Sequence, residues 1–152
     1  MLYSILITLH SILRWLIVLA ALFALIRAAT GISFKRGWMQ MDDRAGLWYT
    51  ITLDLQVLVG IILYFFLSPT TTIALQNFGA AMGNATTRFF AVEHVFGMLI
   101  AVVAAHVGRS LVRKASVPGQ KHRRAALWTG QSLLIVLAAI PWPFLSYGRG
   151  LF

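Results

Sequence analysis

The sequence predicts an all-α integral membrane four-helix bundle, one transmembrane domain over residues 1–152, with both termini on the non-cytoplasmic side. Three observations predict it. The 152 residues are 59% hydrophobic and only 11% charged, against roughly 25% charged in a soluble domain. The apolar residues gather in four long runs, and the basic residues gather between the runs on one side only. Too few charged side chains remain to coat a water-facing surface, so lipid is part of the expected surroundings.

Residues 3–26 form the first run, with His10 and Arg14 inside it. It lacks the basic start of a signal peptide and is longer than such a peptide's apolar stretch, so it reads as a retained helix. Residues 47–67 follow, with Asp54 as the one charge. Residues 89–108 contain Glu93, His94 and His106, and residues 125–144 carry no charge. Each run has the ~20 residues that span a hydrocarbon core of ~30 Å. None alternates like a barrel strand, so each must satisfy its backbone as helix. Pro141 and Pro143 mark the end of the fourth.

Orientation follows from the connections. Arg27, Lys35, Arg36 and Arg44 fall between the first two runs, and Arg109, Arg113, Lys114, Lys121, Arg123 and Arg124 between the last two, ten of the 13 basic residues. That side is expected to be cytoplasmic. Trp38, Trp48 and Trp128 would lie near it and Trp142 near the other face, as an aromatic belt. The same grouping argues against nucleic acid as the partner of the +9 charge, and makes membrane lipids the expected contact. Residues 113–124 carry the charge to meet anionic headgroups, though a topology signal accounts for them as well. The segment 68–88 is small and polar, and reads as a connector that can also lie over the bundle or meet a partner. With no cysteine, the chain has no disulfide, thiol chemistry or cysteine-held metal. No phosphate loop, zincin motif or nucleophile elbow is present, and no catalytic residue is expected.

The ionisable residues inside the runs are the informative feature. Of four acids, Asp54 and Glu93 lie within apolar segments. Such groups are costly in lipid, face the bundle interior by default and mark function. Asp54, Gln56, His106 and Gln131 are therefore expected to be buried polar groups. Gln56 and Gln131 also align in a weak internal echo between the second and fourth runs, as His10 and His94 do between the first and third. At ~1.5 Å per residue, His10 and His94 share a depth about 10 Å from the non-cytoplasmic end, with Arg14 one turn deeper and Asp54 near its level. Two imidazoles at one depth on different helices suit the axial ligation of a b-type haem iron. Glu93 or a backbone carbonyl would hold the second nitrogen of a ligand ring. Arg14 would pair with a haem propionate or with Asp54. The plain alternative makes these histidines structural hydrogen bonds between helices. His106 lies about 120° round the helix from His94, and His122, in KHRR, is expected in solvent.

HSILRW at 10–15, LQVLVGIILYF at 55–65, RFFAVEHVFGMLIA at 88–101 and IPWPF at 140–144 together resemble small bacterial four-helix membrane proteins labelled cytochrome b-like. The resemblance runs along nearly the whole chain. It implies His10, Arg14, Glu93 and His94 as family positions and the bacterial cytoplasmic membrane as location. Asp54 stands where relatives carry His, so a haem ligated there is not expected, and a polar or quinone site stays open. The leading expectation is an electron-transfer subunit with haem b held by His10, His94, Arg14 and Glu93, working in a larger membrane complex. The alternatives are a cofactor-free accessory subunit of a respiratory or photosynthetic complex, and a proton or ion path through His10, Arg14, Asp54, Glu93 and His94.

Overall fold

The structure, a computed structural model, describes residues 1–150. All regular structure among them is helical. The long helices are α1 (Leu2–Ser33), α2 (Gln40–Ile62), α6 (His94–Arg113) and α7 (Pro118–Ala139). α2 continues into a π-helical turn over Leu63–Leu67, and a second such turn over Phe89–Glu93 leads into α6. Between them lie α3 (Pro69–Gln76), α4 (Phe78–Met82) and α5 (Ala85–Arg88). The helical segments Leu2–Ser33, Gln40–Leu67 and Ala85–Lys114 are long and apolar enough to cross a membrane.

The helices run past the apolar runs because their basic ends are built to last. α1 closes with Lys35 in the left-handed region (φ 48°), where Lys35 N–H reaches the Ile32 carbonyl and Arg36 N–H the Gly31 carbonyl. This paired return satisfies the last carbonyls of the helix. α2 opens with Asp42, whose carboxylate accepts the Met39 N–H at 2.8 Å. Asp42 is 5% exposed and also takes Arg27 Nε at 2.8 Å and Arg36 at 3.0 Å. The carboxylate thus caps one helix while tying it to its neighbour. His122, expected in solvent, is instead fully buried. It fits beneath Gly31, where any side chain would collide with it, and donates from Nε2 to the Arg36 carbonyl at 3.2 Å.

α7 differs from expectation at both ends. Its first turns are the polar PGQKHRR, and it stops at Ala139 instead of running to residue 144. Ile140 precedes Pro141 and is extended (ψ 130°), as the proline ring requires of its neighbour. Residues 140–150 fold back over the bundle end opposite the basic connections. Arg149 N–H meets the Pro141 carbonyl there, and Tyr147 stacks on Phe89 at 4.0 Å.

The four long helices pack as a ring in the order α1, α2, α6, α7, with α6 against α7 the most extensive pairing. Gly108 admits Trp128 at that seam, where a Cβ would occupy the indole's place. The core joins Ile17, Tyr49, Leu53, Met98, Ala101, Leu133 and Val136. One polar chain crosses it. Ser132 Oγ donates to the Ala101 carbonyl at 2.7 Å, so Tyr49 must donate to Ser132, also at 2.7 Å. That chain ties α2, α6 and α7 together without leaving a buried donor idle. Large apolar side chains face outward on every long helix, including Leu19, Leu58, Val103 and Leu134, each more than half exposed. Apolar surface on this scale needs lipid or protein to cover it.

The segment 68–88 is more than a connector. Ser68 and Pro69 start α3, Asn77 caps α4, and Asn84 accepts the Thr86 and Thr87 N–H groups to cap α5. Buried Ala74, Ala81 and Ala91 seat these short helices against the second π turn.

Candidate functional site

The two π turns flank one cavity. A π turn sets one extra residue in the helix and leaves carbonyls to be satisfied elsewhere. Here Thr71 Oγ1 donates to the Tyr64 carbonyl at 2.7 Å, and Tyr64 OH to the Ala91 carbonyl at 3.0 Å. Each turn is thereby tied to the next element. Between them the bundle encloses about 460 Å³, lined by His10, Arg14, Gln56, Tyr64, His94 and Arg149 among others. That volume lies in the usual range of small-molecule sites, ~300–1,000 Å³.

His10 and His94 meet in this cavity, as their shared depth predicts. Their ring centroids are 6.2 Å apart and their planes 63° from one another. His94 Nδ1 donates to the Ala139 carbonyl at 2.7 Å. That carbonyl sits at the end of α7, where no further helical turn claims it. The bond fixes the His94 tautomer and leaves Nε2 for a ligand. His10 lies beside Gly60 of α2. Its Nδ1 is buried without a hydrogen-bond partner, an exposed cost in a polar group that ought to be satisfied. Arg14 is 8% exposed and Gln56 4% exposed, and both line the same space.

Four expectations fail here, for one physical reason. Glu93 turns outward and pairs with Arg88 at 2.8 Å, both side chains nearly half exposed. It holds neither histidine, and Ala139 does that work instead. Asp54 does not reach Arg14; its carboxylate accepts from His106 Nε2 at 2.8 Å. Asp54 and His106, expected to be buried, are about half exposed on the outer face of α2 and α6. Gln131 is exposed as well. Depth along an axis follows from counting residues, whereas azimuth depends on how each helix is rotated against its neighbours.

Arg149 is the residue that sequence reasoning passed over. It stands as a lone charge in the tail after IPWPF, and the fold returns it to the cavity. Its guanidinium lies 4.4 Å from the Phe90 ring centroid and within 3.3 Å of Tyr3 OH and of Thr70 Oγ1. A single basic residue in an otherwise uncharged tail was the available signal.

Comparison with known proteins adds no relative: no family model, curated protein or solved structure matches the chain.

Proposed function

We propose that the chain is a b-type cytochrome-like membrane subunit for electron transfer, with haem between α1 and α6 on His10 and His94. The observation that carries this reading is the facing of the two imidazoles across a cavity. Two rings bound to one metal through nitrogens at ~2 Å hold their centroids about 6 Å apart, and the separation here is 6.2 Å. The His94–Ala139 bond is the kind of second contact that orients a ligand imidazole. Arg14, Gln56 and Tyr64 add polar side chains to the wall. Bound there, haem would supply a one-electron carrier in a low-dielectric setting. The protein's part is to orient two imidazoles and exclude water.

In this reading α7 crosses the bilayer with the other three long helices. The basic connections face the cytoplasm of a bacterium, and both termini lie outside. Tyr3 and Arg149, near the two ends, lie together, which suits an even number of crossings. A partner complex would cover the half-exposed Asp54–His106 pair, since ionisable groups in the hydrocarbon region are costly when left to lipid.

The test is the reduced-minus-oxidised spectrum of the purified protein. A b-type α-band, lost in His10→Ala and in His94→Ala but kept in His106→Ala, is the expected result. A colourless protein that co-purifies with a large complex would instead support the cofactor-free accessory role that the outer ion pair favours.

A further inference from the structure

We infer that Arg149 receives a carboxylate of the cavity's ligand at the end covered by residues 140–150. This rests on the cytochrome-like reading, in which the carboxylates are the two propionates on one edge of haem.

Among the described residues, the wall of the cavity carries Arg149 together with His10 and His94, and no aspartate or glutamate. The chain's acids are engaged elsewhere: Asp42 with Arg27 and Arg36, Asp43 with Arg109, Asp54 with His106, and Glu93 with Arg88. Arg149 touches neutral groups, namely Tyr3 OH, Thr70 Oγ1 and the Phe90 ring. A guanidinium has five N–H donors, and these two long contacts leave most of its donor fork for a carboxylate. A part-buried positive charge favours an anionic partner over none.

Its position is built. The backbone of Arg149 bonds to Pro141, Tyr147 is stacked on Phe89, and Gly148 packs so tightly on the Trp142 carbonyl that no side chain fits there. Phe90 neighbours both Arg149 and His94: the guanidinium lies over the Phe90 ring, and the Phe90 and His94 centroids are 6.3 Å apart. Arg149 thus shares the cavity wall with His10 and His94, where a carboxylate carried by a bound ligand could meet its guanidinium.

The experiment titrates the full-length protein in detergent, stripped of haem, with haemin and with haemin dimethyl ester, whose propionates are neutral. Wild type should bind haemin at least tenfold more tightly than the ester. Arg149→Gln should remove most of that difference by weakening haemin alone, and Arg149→Lys should restore part of it. Unchanged ester binding in the variants shows that the pocket still folds. Equal affinity of wild type for both compounds overturns the assignment and leaves the cytochrome reading standing, as does an Arg149→Gln loss that falls equally on both. Binding of neither compound by wild type refutes the cytochrome reading and this one with it.

Discussion

The chain holds two histidine-centred pairs in membrane-length helices, and they face opposite ways. His10 and His94 meet inside the ring of helices, beside a cavity, with the ring of His94 oriented by a carbonyl. Asp54 and His106 meet on the outside, half exposed, in a carboxylate–imidazole bond of 2.8 Å. His94 and His106 belong to the same helix, and their separation in sequence turns the second about 120° from the first. Identical chemistry on one helix is thus divided between an interior site and an exterior face. An inner pair with room around it suits a ligand, whereas an outer pair with mutual satisfaction suits coverage by another protein.

The sharpest way to break this contrast is to delete imidazoles one at a time. His10→Ala or His94→Ala should abolish the b-type band altogether, while His106→Ala leaves it in place, read by difference spectroscopy at equal protein concentration. Equal loss from all three would erase the distinction between inside and outside.

A second comparison calibrates the outer carboxylate against a buried one. Asp42 is buried and holds two arginines and a backbone N–H. Asp42→Asn should therefore destabilise the protein by about 2 kcal/mol, since the buried carboxylate loses its charge-assisted hydrogen bonds to Arg27 and Arg36. Denaturant or thermal unfolding in detergent reads this directly. The band should persist in whatever fraction stays folded, because Asp42 sits at the basic end, away from the cavity.

Gly97→Ala probes the support of the inner pair. A Cβ there would lie 3.1 Å from the Ala139 Cβ, pressing α6 and α7 apart next to the carbonyl that orients His94. A cost of about 1–2 kcal/mol is expected from such overpacking, together with a few-fold weaker haem affinity in the same titration. Unfolding midpoints and haem titration separate the two effects.

Smallest of all should be Asp54→Asn. Exposed charge pairs are worth under about 1 kcal/mol, so the isolated protein in detergent should barely change. If the pair is covered by a partner in the membrane, co-purification with that partner should fall while the midpoint stays put. A large loss of stability in the isolated chain would show the outer pair to be an internal strut.

How much of this was legible in the sequence depends on the coordinate in question. The all-helical class, the membrane-length apolar segments and the common depth of His10 and His94 all come from residue order. Apolar run length and a constant rise per residue set them without reference to any neighbour. The placement of Ala139 at a helix end was half legible, since Pro141 forces the chain out of helix just beyond it. Which acids face the cavity was not legible. Glu93 and Asp54 are at suitable depths, yet both turn away.

Tertiary structure alone decided the azimuths, the burial of His122 under Gly31 and the return of Arg149 to the cavity. The physical reason is that depth is a local property of one helix, while facing is a relation between helices. It is set by how each helix is rotated against its neighbours, how closely glycines let α6 approach α7, and which way the chain folds after its last proline.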